Sequence, residues 1–290
     1  MSITSMILII LTFIVNFIMN YSFWSIMVSL AFMVGYKGIP YNDGTLLIKL
    51  SLASLLIPAI LVQFPFMERF FVFSNSGRTP HGEEESLLRQ FLAEVCERAH
   101  LNPSDYPLYV GRENIYNAFS LGKSIVIMEP LLHQFPEDEL IGVMAHEMGH
   151  IQHGDTRYGL ICVGLSWFGQ VIILVYNLLF LIFRLFMWIP FLGLFLSLLA
   201  LFIKLQYQIL DIFLQVPMIV ISRFGSRKAE YEADRYACEL GLGRELAMGL
   251  AHLESIYGSG KSSLFQRLMN DHPDTDKRIR RIEEYLRTHP

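Results

Sequence analysis

Two long apolar stretches limit what this chain can fold into more than any other feature. Residues 6–34 (MILIILTFIVNFIMNYSFWSIMVSLAFMV) carry no charge, and Lys37 is the first charged side chain. Residues 158–222 form a second apolar block with only sparse polar positions. Hydrophobic residues make up 53% of the chain, charged residues 17%, and mean hydropathy is +0.40. That balance leaves too little polar surface to wrap the apolar side chains in water, so part of the chain is expected to face lipid.

The first block lacks the basic start, short core and small-residue cleavage site of a signal peptide. It reads as one anchor helix, because half of it falls short of the ~20 residues a crossing needs. Residues 45–66 read as a second span, kinked at Pro58. WIPFLG (188–193) punctuates the later block and divides it into a hairpin of two arms, 158–187 and 194–222. The resulting organisation is an N-terminal anchor of two spans (1–66), a first globular part (67–157), a membrane hairpin (158–222) and a second globular part (223–290). Arg69, Arg78, Arg157, Arg223, Arg227 and Lys228 flank the spans on the globular side, against Lys37, Lys49 and Arg184 on the other. By the positive-inside rule the globular parts are cytoplasmic.

Net charge is −4, the pI is near 6.1 and no basic stripe stands out, which argues against nucleic acid as a partner. Cys96, Cys162 and Cys238 are odd in number and lack C-x-x-C spacing, so they read as buried thiols. GKS occurs at 122–124 and 260–262, but the first glycine of a phosphate loop is replaced by Asn117 and Ser255, so no nucleotide is expected.

In the globular parts, residues 84–100 put Leu88, Leu92, Val95, Cys96 and Ala99 on one helical face. PLYVG, NIYNAFSL and KSIVIM read as short strands. Residues 135–154 read as a helix opened by three acids and closed by Gly154, and 227–243 and 273–289 as further helices. SNSGRTPHGEEE (74–85) reads as flexible.

The chemistry concentrates in VMAHEMGHIQHGD (143–155). His146 and His150 stand four apart, so both imidazoles lie on one helix face and can meet one Zn²⁺. Glu147, one step round, can serve as general base. The metzincin extension fails, because His153 and Thr156 stand where Gly and His are required. A catalytic zinc needs a third protein ligand. AEYEADRYA offers Glu230 and Glu232, and Glu230 is favoured because Asp234, one turn on, can accept the outer N–H of a ligand histidine. His133, His153 and Asp155 read as structural. His150 to Tyr158 and Ser222 to Glu230 are each 8 residues apart. If both stretches are helical, each rises about 12 Å and the hairpin sets the height of the centre above the bilayer.

NAFSLGKSIVIMEPLL, AHEMGHIQHGD, SRKAEYEADRYA and HPDTDKRI occur in this order, with the apolar hairpin between the second and third. Over essentially the whole chain this resembles the HtpX family of membrane zinc metalloproteases, relatives of the CAAX prenyl endopeptidases and of a mitochondrial protease. The resemblance implies a multi-pass α-helical membrane protein with an α+β gluzincin metalloprotease domain, comprising a small β-sheet, the HExxH helix and a Glu-donating helix. It implies one Zn²⁺ per chain, a polypeptide substrate, and a place in the cell inner (plasma) membrane with the catalytic domain cytoplasmic. It also implies ATP-independent quality control of misfolded or damaged membrane proteins. By motif, His146, His150 and Glu230 resemble the ligands, Glu147 the general base, and Asp234 the carboxylate behind a ligand histidine. Asn117, Ala118 and Phe119 match the substrate-facing edge strand. His272 and Arg278 match the pair that lies beside the zinc, where a cation or N–H would meet charge developing on the scissile carbonyl.

Two rival readings stand beside this one. A CAAX-type prenyl-protein endopeptidase shares the zinc chemistry, although those relatives carry more spans and a longer chain. A non-hydrolytic membrane chaperone or transporter with structural zinc would leave Glu147 without a task. The polar positions Ser166, Gln170, Asn177 and Arg184, and Lys204, Gln208, Asp211 and Gln215, fall in stripes on the two hairpin arms. They read as polar contacts within the hairpin or the lining of a hydrated cavity.

Overall fold

A computed structural model of the chain describes residues 3–33, 35, 44–74, 76–186, 227–258 and 275–289, with scattered positions from 188 to 204. The chain divides into two compact units. One comprises Met1–Ser5, Gln63–Leu160 and Arg223–Pro290, and the other Met6–Val62 and Ile161–Ser222.

The apolar unit is built on α1 (Ile3–Met33), α2 (Gly44–Leu61) and most of α7 (Asp155–Phe186). Among the described residues, two helical segments are long and apolar enough to cross a membrane, Ile9–Ser29 and Gly44–Leu61. α2 continues through Pro58. The helices meet through small and polar residues, as helices do where no water drives association. A Cβ on Gly164 of α7 would lie 2.6 Å from Ala59 Cα of α2, so glycine permits that approach. Asn16 Nδ2 donates to Ser166 Oγ at 3.4 Å, and the Trp24 indole N–H donates to Ser54 Oγ at 3.3 Å. Most of the expected second hairpin arm, including Gln208, Asp211 and Gln215, lies outside the described residues.

The polar unit is layered. Its sheet runs β1 (Gly77–Arg78), β2 (Leu108–Gly111), β4 (Ser124–Met128), β3 (Ala118–Leu121) in spatial order. The β2–β4 pair is parallel and the outer pairs are antiparallel, with Ala118 opposite Ile127 and Ser120 opposite Ile125. β3 is therefore an edge strand. The alternation of strand side chains splits the core. Val110, Ala118, Ile125 and Ile127 face the main core with α4 (Glu83–Arg98), α5 (Glu129–Gln134) and α6 (Glu137–His153). Tyr109 and Val126 face the other way, against Val72 of α3 (Pro65–Ser74), with Phe119 and Leu121 beside them.

The strand and helix expectations for 84–100, 107–128 and 135–154 match these elements. Two others do not. β1 lies inside the segment read as flexible, held by pairing with β2 and by Arg78, which bonds Glu84 and Glu129. The helix α9 (Gly243–Gly258) went unread, although it packs along α6. The remaining helices are α8, described over 227–239, and α10 (Thr275–Thr288).

α6 starts with Glu137, Asp138 and Glu139, acids that suit the positive end of its dipole. It stops at Gly154, which takes a left-handed φ of 79° and donates its N–H to His150 O and Ile151 O. This break removes the continuous helix from His150 to Tyr158 on which the expected 12 Å rise depended. The matching stretch before Glu230 begins outside the described residues.

Candidate metal centre

Three elements deliver the centre. α6 carries His146, Glu147 and His150. α8 carries Glu230 and Asp234, and α10 carries Arg278. α6 and α8 approach closely because Gly149 has no side chain: a Cβ there would lie 2.9 Å from Ala233 Cα and 3.1 Å from Ala233 O. Ala233 is the neighbour of Asp234 and lies one turn from Glu230, so this contact sets how near the carboxylates come to the imidazoles.

Ligand-capable atoms of His146, His150 and Glu230 lie within 4.8 Å of one another. The two Nε2 atoms are 3.1 Å apart, with Glu230 Oε2 3.4 Å from His146 Nε2 and Oε1 3.4 Å from His150 Nε2. Tetrahedral ligands bound at 2.0–2.1 Å sit roughly 3.3 Å from each other. The donor set thus fits one tetrahedral cation. The outer nitrogens complete the pattern. His146 Nδ1 lies 3.0 Å from Asp234 Oδ1, and His150 Nδ1 lies 3.3 Å from Asp155 Oδ2. With each Nδ1 proton given to a carboxylate, both Nε2 lone pairs point at the shared position, the arrangement of metal-ligating histidines.

The surrounding charge is strongly negative. Burial alone would lower the His150 pKa, but bonds to Asp155 and Glu230 and the nearby Glu147 carboxylate outweigh it and draw it up to about 10. Burial would also raise the Asp234 pKa, yet bonds from His146 and Arg278 leave it lowered. A cation and protons therefore compete for the same nitrogens.

Glu147 is buried, and its Oε2 accepts a hydrogen bond of 2.9 Å from Ser120 Oγ on β3. Ala118 shares the inward face of β3 with Ser120, while Phe119 packs on the opposite face of the sheet. The Asn117 carbonyl accepts from Met128 N at 3.0 Å and ties the start of the strand to β4.

Arg278 lies against the ligand cluster. It is 2% exposed and donates through Nε and Nη2 to Asp234 at 2.9 and 2.6 Å, while Nη1 pairs with Glu230 Oε2 at 2.9 Å. Its donors pair with two carboxylates of the ligand cluster, and Nη2 lies 3.4 Å from the His146 ring nitrogens. His272 lies outside the described residues. His153 turns away, its Nδ1 2.8 Å from Gly149 O and its ring edge-on to Tyr236. His133 pairs with Glu84.

Sequence reasoning missed two residues here. Asp155 reads as structural in the sequence, and the left-handed turn at Gly154 brings its carboxylate to 3.3 Å from His150 Nδ1. Ser120 lay one position beyond the strand residues singled out. The alternation Ala118–Ser120 was the available signal.

An HExxH helix beside the edge of a small mixed sheet, with a glutamate entering from a second helix, is the site architecture of the gluzincin class. The profile of peptidase family M48 matches residues 83–286, and the chain belongs to that family. It is 30% identical to a "Protease HtpX homolog" from Helicobacter acinonychis over 162 residues, covering 54% of this chain and 48% of that protein. It is 26% identical to "Protease HtpX" from Mannheimia succiniciproducens over 225 residues, covering 70% of this chain and 75% of the relative. The crystal structure of S. mikatae Ste24p aligns with 88% of this chain and 64% of its own, at 19% identity and a TM-score of 0.47. The chain spans about half the length of the first curated relatives it matches, 48% in each case.

Proposed function

We propose that the chain is a zinc-dependent, membrane-bound endopeptidase that hydrolyses peptide bonds without nucleotide. The observation that carries this reading is the fit of His146, His150 and Glu230 to one tetrahedral cation with Glu147 beside it. Zinc held there would supply a Lewis acid for the scissile carbonyl and make a water acidic enough to attack at neutral pH.

The rest of the chemistry belongs to the chain. An extended peptide adds to the exposed edge of β3 by main-chain hydrogen bonds over Asn117, Ala118 and Phe119. The Glu147 carboxylate takes a proton from the attacking water and passes it to the amide nitrogen as the C–N bond breaks. Ser120 fixes the orientation of that carboxylate. Asp234 and Asp155 hold the ligand imidazoles in the Nδ1–H tautomer. Arg278 offsets the charge of Asp234 and Glu230 and keeps both in place.

Within this reading the apolar helices, with the hairpin at 158–222, cross the cell inner (plasma) membrane several times and the peptidase unit is cytoplasmic. The substrates are misfolded or damaged membrane proteins. Arg69, Arg78, Arg157, Arg227 and Lys228 beside the spans support the orientation.

The deciding assay compares wild type with Glu147→Gln on an unfolded protein, with zinc content measured in both. We expect equal zinc and a loss of cleavage of at least about a hundredfold, the scale of general-base catalysis. Equal cleavage by both proteins sinks the mechanism and favours a structural zinc. Cleavage confined to a prenylated CAAX peptide would move the assignment to the prenyl-protein endopeptidases.

A further inference from the structure

Helix α3 (Pro65–Ser74) is built inside out. Its inward face carries an acid, Glu68, only 8% exposed, next to Val72. Its outward face carries Phe66 and Phe70, exposed by 61% and 60%, and at its edge Phe73, 42% exposed, whose ring also meets Tyr109 of β2 edge-on at 5.9 Å. Positions 66, 70 and 73 fall at i, i+4 and i+7, a single stripe along the helix. Arg69 lies in the same stripe, its guanidinium 5.5 Å from the centre of the Phe73 ring.

The inward contacts leave no freedom to roll the stripe under. Val72 packs with Tyr109 and Val126 on the sheet. Glu68 Oε2 accepts from the Lys123 backbone N–H and from Ser124 Oγ, each at 3.1 Å, and so grips the β3–β4 turn. Gly122 in that turn has a φ of 61°, and a Cβ there would strike the Glu68 carboxylate. On the far side of the turn, Thr156 Oγ1 donates to Gly122 O at 2.7 Å. The same bonds that bury a carboxylate hold Phe66 and Phe70 outward, where water is an unfavourable neighbour.

Chain continuity points to the occupant. α2, apolar enough to cross a membrane, ends at Leu61, and residues 62–64 lead directly into α3. Phe64 in that connector is also exposed. Aromatic rings flanked by an arginine, immediately after an apolar span, are the pattern of a helix lying in the headgroup region. The arginine stem lies along apolar surface while its charge reaches anionic headgroups.

We propose that α3 is an interfacial helix. Phe66 and Phe70 enter the headgroup–acyl boundary of the bilayer, Arg69 meets anionic lipid, and Glu68 passes that anchorage to the β3–β4 turn, holding the edge strand at the membrane surface. This rests on the reading that α2 crosses a bilayer, and it does not require that β3 bind peptide.

The test places nitroxide labels on the full chain, one chain per nanodisc, in phosphatidylcholine with a minority of phosphatidylglycerol. Cys96, Cys162 and Cys238 are buried, so introduced cysteines are labelled selectively. The sites are Phe70→Cys, Leu56→Cys in α2 as the lipid reference, and Gln90→Cys on exposed α4 as the water reference. Collision with oxygen reports lipid, and collision with a nickel chelate reports water. We expect the oxygen-to-nickel ratio at position 70 to exceed that at 90 by about fivefold or more. A ratio at 70 equal to that at 90 overturns the proposal, provided 56 reads as lipid. A label at 70 shielded from both reagents also overturns it, in favour of a protein partner. If 56 itself reads as water, the membrane assignment fails first. The coupling is read separately at Lys123→Cys, where adding Glu68→Ala should sharpen the label's spectrum. An unchanged spectrum removes the link to the edge strand.

Discussion

Gly149 separates the two histidines' helix from the helix that brings the glutamate, and its missing side chain is what lets them touch. Gly149→Ala should push α8 outward and misplace Glu230. We expect retained helical circular dichroism but zinc content after dialysis well below one per chain, measured by elemental analysis; full zinc occupancy contradicts the close-approach argument. Ser120 makes a different kind of contribution. A hydrogen bond to a charged group is worth about 1.5–3 kcal/mol. If Glu147 depends on that bond for its orientation, Ser120→Ala should lower kcat roughly tenfold while zinc binding and KM change little. An unaltered kcat would show that packing alone orients the carboxylate. The histidines were legible because four-residue spacing on a helix is a local property. Asp155 was not, since its approach to His150 depends on one left-handed glycine between them.

β1 consists of Gly77 and Arg78, and its place depends on charge as much as on pairing. Arg78 donates to both carboxylate oxygens of Glu84 at 2.7 and 2.8 Å and to Glu129 at 2.9 Å, joining β1 to the first turns of α4 and α5. Those bonds, with Arg78 the leading cause, pull the Glu84 pKa from its ordinary 4.5 to about 2. A depressed carboxylate pKa stabilises the fold fully above the unfolded value, and the contribution fades as pH falls towards the folded one. Wild type should therefore exceed Glu84→Gln in stability by a constant margin above about pH 5, and the margin should shrink between pH 4.5 and 2. Denaturant titrations across that range check this, and a margin independent of pH would remove the ionic explanation. Residues 74–85 read as loop because a two-residue strand has no periodicity to detect. α9 is a different case. Its apolar period, Leu246, Leu250 and Leu253, was available in the sequence, and only its packing on α6, where a Cβ on Gly142 would lie 2.3 Å from Leu246 N, needed the structure.

The centre draws on α6, α8 and α10; the apolar block parts α6 from α8, and α9 stands between α8 and α10 along the chain. A cation bound to all three ligands stabilises the folded polar unit by mass action, by about 2.7 kcal/mol at a free concentration a hundred times its Kd. Chelation should lower the melting temperature of the purified chain, and zinc should restore it. Glu230→Ala should melt at the lower temperature and respond to neither. A melting temperature indifferent to chelator would mean that no cation bridges these helices. The buried Cys96 and Cys238 thiols give a second readout. Burial raises both pKa values to about 11, so alkylation at neutral pH should follow unfolding and accelerate when metal is removed.

By itself the amino-acid order determined the apolar N-terminal helices, the spacing of His146 and His150, the pairing of Glu230 with Asp234 one turn on, and the short strands around 107–128. Each is set by periodicity or spacing within a few residues, which local geometry converts directly into a face or an edge. Only the tertiary structure decided that Arg278 pairs with two carboxylates, that Ser120 and Asp155 join the centre, and that α3 turns Phe66 and Phe70 outward. These depend on which element lies against which, and that choice is made by buried charges finding partners and by glycines leaving room. Both depend on partners distant along the chain, as Glu68 with Lys123 and Gly149 with Ala233.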